Sequence, residues 1–179
     1  MEGTPDFVPG FVFDARFYVS RHADIAAIVA RGDGFDPRQH FLTHGIAEGR
    51  AASIYFDVAY VHEHLRRFEE IAVERAGTTA AFFALPPERR FVPNRWFNPW
   101  LLRRRHGAAH PALATMDDYA AFAFYAEHAA TLRLSPHGLF DEPRYLDRYP
   151  DVAAAVASGE FRSGFHHFVS LGWSEGREN

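Results

Sequence analysis

Eleven histidines are the residues of this 179-residue chain whose spacing most readily suggests chemistry. His40-x-x-x-His44 and His106-x-x-x-His110 have the i, i+4 spacing that sets two imidazoles on one helix face, as in zinc-binding helices, and His62-x-His64 makes a third cluster. No third ligand accompanies these pairs apart from Glu48, one turn beyond His44. His40 recurs as His167 beside an apolar Phe, whereas its other counterparts, Ala81 and Phe124, have no metal-binding atom. His40, His44, His106 and His110 are therefore the candidate ligands of a metal-binding protein or metal-dependent enzyme. Packing or capping is the preferred reading, and no metal or other cofactor is expected.

The other candidates are charged or aromatic. Glu48-Gly49-Arg50 and its copy Glu175-Gly176-Arg177 are read as structural, the glycine turning the chain while Glu and Arg satisfy helix ends or each other. Asp24 and Asp151 are read as helix-start residues. Trp100 stands where the equivalent segments carry Arg16, Ala59 and Pro143, and it precedes the run Arg103-Arg104-Arg105-His106. A tryptophan flanked by guanidiniums can stack on a sugar, a base or an aromatic partner, so Trp100, Arg103, Arg104 and Arg105 are the candidate partner-binding residues, with a plain solvated face as the alternative. Arg66-Arg67 and Arg89-Arg90 together with 103–105 allow a basic stripe for nucleic acid, but a net charge of -4 makes that partner the weaker reading.

Composition narrows the classes further. The chain has no cysteine, and every one of its 19 basic residues is Arg, which removes thiolate sites, P-loop lysines and Schiff-base lysines. No nucleophile elbow, dinucleotide fingerprint or His-Glu-x-x-His helix is present. With 47% apolar and 23% charged residues the chain predicts one folded domain, and no run approaches the ~20 apolar residues of a membrane span. Residues 1–12 read as an irregular leader without the cationic and apolar regions of a secretory signal, so the expected location is cytoplasmic by default, export by another route staying open.

The organising feature is an internal repeat. Residues 13–50 match residues 140–177 without a gap at 16 of 38 positions, among them Phe13, Asp14, Tyr18, Asp24, His40, Phe41, Gly45 and Glu48-Gly49-Arg50. Weaker copies begin at Phe56-Asp57 and Phe97-Asn98. The Phe41 position reads Phe41, Phe82, Tyr125 and Phe168, and the position before each start reads Val12, Tyr55, Trp96 and Leu139, which assigns Trp96 to packing. Helical spacing, caps at Asp14 and Asp36-Pro37, and the absence of period-two runs predict an all-α fold. The expected repeats are 13–55, 56–96, 97–139 and 140–179, forming one domain over 13–179 as a short α-solenoid or compact helical bundle. Pro150 predicts two short helices in the last copy, Gly45 a left-handed stop after His44, and Asp57 to Ala76 one long amphipathic helix ended by Gly77.

The pattern Phe-Asp-x-x-x-Tyr-x-x-x-Tyr-Pro-Asp-Val-Ala followed by His-Phe-x-x-x-Gly-x-x-Glu-Gly-Arg, carried by Phe140 to Ala153 and His167 to Arg177, resembles tandem helical repeat modules found in bacterial glycosyltransferase-associated and cell-surface-related proteins. The outer copies carry the resemblance and the middle copies depart from it. It implies an accessory or interaction role and brings no catalytic residue with it. The expected function is thus a non-catalytic interaction module whose partner is a protein or a cell-surface glycan.

Overall fold

A computed structural model describes residues 8–179, and among these are ten α-helices and no strand. The all-α expectation holds. The chain divides between Asn94 and Arg95 into two compact units. The first holds α1 (Ala15–Arg21), α2 (Ala23–Val29), α3 (Pro37–His40), α4 (Val58–Arg67) and α5 (Thr78–Ala84). The second holds α6 (Pro99–His106), α7 (Asp118–Leu132), α8 (Glu142–Arg148), α9 (Pro150–Ala157) and α10 (Gly164–His167). No helix among the described residues is long and apolar enough to cross a membrane.

Each Phe-Asp or Phe-Asn start opens a helix by the same device. The side chains of Asp14, Asp57, Asn98 and Asp141 accept the N–H three residues on, at 2.8, 3.0, 2.9 and 3.0 Å. Such a cap satisfies a donor the helix cannot, and is worth ~1 kcal/mol. The Phe before the cap then turns inward onto a ring from a later helical segment of the same repeat. Phe13 meets Phe41, Phe56 meets Phe82, Phe97 meets Tyr125 and Phe140 meets Phe168, with centroids 5.2 to 5.4 Å apart. Tyr18, Val61, Leu102 and Tyr145 are fully buried beside them.

α3 and α10 run on into π-helical turns at Phe41–Gly45 and Phe168–Gly172, where Ile46 and Trp173 donate to the carbonyls of Phe41 and Phe168. Each turn ends on a glycine that faces the core. The Tyr18 hydroxyl occupies the space where a Cβ on Gly45 would stand, 2.7 Å away, and the Tyr145 hydroxyl does the same at Gly172, 2.4 Å away. Gly45 is therefore needed for close approach. It does not form the left-handed stop expected from its place after His44; that conformation belongs to Gly49, at φ +64.

Two further expectations are corrected. The second copy is not one helix from Asp57 to Ala76. α4 ends at Arg67, Glu70 takes a left-handed conformation, and the Ile71 N–H returns to the Leu65 carbonyl, which turns the chain away. Phe68, just past the end of α4, is exposed, and Gly77 starts α5 instead of ending α4. Trp96 is half exposed, unlike its counterparts Val12 and Tyr55. By contrast, the break at Pro150 separates α8 from α9 as expected. Of the leader, residues 1–7 lie outside the described residues, and the remainder closes with a 3-10 turn, Gly10–Val12, that buries Phe11 and Val12.

Candidate functional site

The recurring polar residues are joined in two matched clusters. In the first, Arg50 grips both carboxylate oxygens of Asp24, at 2.9 and 2.8 Å, and its Nε donates to Glu48. In the second, Arg177 grips Asp151 at 3.0 and 2.7 Å and donates to Glu175 at 2.6 Å. The bidentate guanidinium holds the Asp24 carboxyl down at about 2 and lowers that of Asp151. Asp24 and Asp151 sit in the first turns of α2 and α9, so each arginine ties the chain beyond the π-helical turn back to the start of an earlier helix. The Glu-Gly-Arg motif is structural, as its repetition suggests.

The histidines are committed to similar work. His40 and His167 share a hydrogen bond at 3.0 Å with Tyr18 and Tyr145 respectively. The His62 ring nitrogen meets the Val73 carbonyl at 2.9 Å, His64 stacks on Phe91 with centroids 3.6 Å apart, and His106 Nε2 accepts the Ser135 N–H at 3.1 Å. Burial lowers the pKa of His40, His64, His106 and His167. His44 lies beside His40, their centroids 5.3 Å apart, and His110 lies against Phe124. Among the described residues no three His, Asp or Glu side chains gather in a metal-binding group. Glu142 is a buried carboxyl that the sequence reading overlooked; closed to solvent, it accepts the N–H groups of Gly164 and Phe165 at the start of α10.

On α6 the four partner-binding candidates separate. Arg103 pairs with Asp118 at 2.6 Å and with the Met116 carbonyl at 3.2 Å, and Arg105 reaches the Phe140 carbonyl at 3.4 Å. Both arginines fasten α6 to its own unit. Trp100 is 58% exposed, and the Arg104 guanidinium lies 5.1 Å from its ring centre. The outward surface is thus an indole with one stacked cation. The remaining members of the proposed basic stripe are mostly engaged as well: Arg67 pairs with Glu63, Arg89 with Glu69, and Arg90 with the carbonyls of Phe83 and Leu85.

A feature missed in the sequence lies elsewhere on the second unit. Phe140, Phe165 and Phe168 floor a cavity of about 380 Å³ whose rim is built by Trp96, Leu139 and Trp173, with His137 and Asn179 as its polar members. Leu139 and Trp173 are each 77% exposed, and Trp96 is 53% exposed. The signal was present in two columns of the repeat: Trp173 replaces Ile46, and Trp96 and Leu139 replace Val12 and Tyr55. Comparison with known protein families, curated proteins and solved structures gives no match to this chain.

Proposed function

We propose that this chain is a non-catalytic interaction module of four degenerate repeats, 13–55, 56–96, 97–139 and 140–179, that binds a protein partner or a cell-surface glycan. The supporting observation is that the polar residues capable of chemistry are consumed within the fold. Tyr18 with His40, Asp24 with Arg50 and Glu48, and their copies in the last repeat hold helices together, and Glu142 has no access to a substrate. The common caps and the four ring pairs at the starts favour the same repeat reading. The resemblance of the outer copies to bacterial modules associated with glycosyltransferases and cell surfaces agrees with a binding role.

Trp100 and Arg104 form the binding face on α6, with Arg103 and Arg105 fixing the helix beneath them. A glycan array and a crosslinking capture, each run with wild type and with Trp100→Ala/Arg104→Ala, test this. The expected result is a ligand retained by wild type and lost by the folded variant. Equal retention by both removes the α6 face, and stoichiometric zinc in the purified protein overturns the reading in favour of a metal site.

A further inference from the structure

The turn that leaves α2 carries two opposite charges that the fold does not use. Arg31, Gly32 and Asp33 follow the last residue of the helix cap, Ala30, and all three are exposed. The turn closes through its backbone: the Arg31 N–H donates to the Ile28 carbonyl at 3.0 Å and that of Gly32 to the Val29 carbonyl at 3.1 Å. Gly32 at φ +72 and Gly34 at φ +78 take a conformation that L side chains rarely adopt, and no atom lies within 4 Å of a Cβ built on either. Asp33 thus stands between two glycines with open space about them. Among the described residues the side chains of Arg31 and Asp33 form no hydrogen bond and no ion pair.

The last repeat makes the same turn with different side chains. Gly159 stands at the Gly32 position with φ +77, and its N–H donates to the Val156 carbonyl at 3.0 Å. Ser158 replaces Arg31, and Glu160, half-buried and engaged within the fold, replaces Asp33. The turn therefore requires its glycine, but neither the guanidinium nor the short carboxylate beside it. By contrast Asp24, Glu48 and Arg50, which do recur, are held by one another. The charges that repeat are spent on the fold, and the two that do not repeat face solvent.

We propose that the Arg31-Gly32-Asp33 turn docks on a protein receptor that holds a divalent cation with an open coordination position beside an acidic pocket. The Asp33 carboxylate, a hard oxygen ligand on a short arm, completes the shell of the cation, and the Arg31 guanidinium pairs with the carboxylates of the pocket. Two opposite charges one residue apart need a partner that presents the opposite pair equally close together. A basic side chain next to an acidic pocket would be neutralised by it, whereas a metal ion held by its own ligands keeps a free position for Asp33. The glycines on either side of Asp33 leave no side chain to keep a receptor surface away. This turn lies in the first unit, and the proposal goes beyond the reading of the α6 face and does not depend on it.

The test is binding of the full chain to soluble ectodomains of integrins that read Arg-Gly-Asp, receptors with this pairing of cation and acidic pocket, measured with Mn²⁺ present. Saturable binding is expected, abolished by EDTA and competed by the peptide Gly-Arg-Gly-Asp-Ser but not by Gly-Arg-Gly-Glu-Ser. Arg31→Ser and Asp33→Glu install the side chains that the last repeat already carries on the same turn, so both variants keep the fold, and each should weaken binding at least about tenfold. Urea midpoints of both variants should match wild type. No saturation up to about 10 micromolar receptor, binding that survives EDTA, or binding indifferent to both variants overturns the proposal. So does a midpoint that falls along with binding, which assigns the pair to the stability of the turn. Trp100→Ala/Arg104→Ala should bind the ectodomains as wild type does, so failure at the α6 face and failure at this turn are read separately.

Discussion

Neutralising one buried carboxyl should reverse the pH dependence of the second unit's stability. The Glu142 side chain is fully buried, and burial pushes its pKa up to about 7 against an ordinary 4.5, although the Gly164 and Phe165 N–H groups and the nearby Arg133 pull it the other way. Between these values the folded chain holds a proton that the unfolded chain has released. The proton's stabilising contribution is therefore complete below pH 4.5 and is lost as pH rises through about 7; the gap corresponds to roughly 3 kcal/mol. Glu142→Gln keeps the shape but turns one acceptor into a donor facing a backbone N–H, a pH-independent cost of ~1–3 kcal/mol. The variant should thus be the weaker protein at pH 4.5 and should draw level with wild type or pass it by pH 7.5. His106 and His167 act in the opposite sense, because burial lowers their pKa and their contribution fades as pH falls below 6.5. Both proteins share them, so the difference between the two isolates Glu142. Urea titrations from pH 4.5 to 7.5 read it out by tryptophan fluorescence, and Trp96, Trp100 and Trp173 all lie in the second unit. A wild-type-minus-variant difference that stays constant across this range would refute a buried carboxyl with a raised pKa.

Two further substitutions probe the packing. Gly172→Ala should cost ~1–3 kcal/mol by overpacking, because its Cβ would meet the Tyr145 hydroxyl at 2.4 Å and His167 Nδ1 at 3.3 Å; the same change at Gly176, which is open but at φ +70, should cost only the ~1–2 kcal/mol of left-handed strain, and urea midpoints compare the two. Phe41→Ala should destabilise the first unit by ~3–5 kcal/mol, and Phe168→Ala the second by less, since Phe41 is buried while Phe168 remains partly exposed; hydrogen exchange within each unit separates the effects.

What could be read from the sequence was whatever depends on near neighbours or on the repeat itself. Asp14, Asp36 and Pro150 act on the turn in which they stand, so the helix starts and the break between α8 and α9 followed from residue type alone. The second copy misled because helical periodicity in 57–76 says nothing about a left-handed Glu70, a conformation a non-glycine residue adopts only when tertiary contacts hold it there. Gly45 misled for a related reason. Its sequence context suits a helix stop, while its cause is a tyrosine hydroxyl brought in from 27 residues earlier in the chain.

The identities between the outer copies also acquire a physical meaning that no single residue has alone. The hydroxyl of Tyr18 lies over Gly45 and against His40, so Tyr, His and Gly must change together or not at all. Asp24, Glu48 and Arg50 form a second such set, since an arginine left without its carboxylates would keep neither helix in register. Both sets lie within one repeat, and both survive at the 127-residue offset. Other positions differ between the copies: Val12 corresponds to Leu139 and Ile46 to Trp173, in each case a larger apolar group in the last repeat. Trp173 and Leu139, each 77% exposed, ring an apolar cavity with Trp96, so the substitutions that most distinguish the last repeat from the first enlarge its apolar surface.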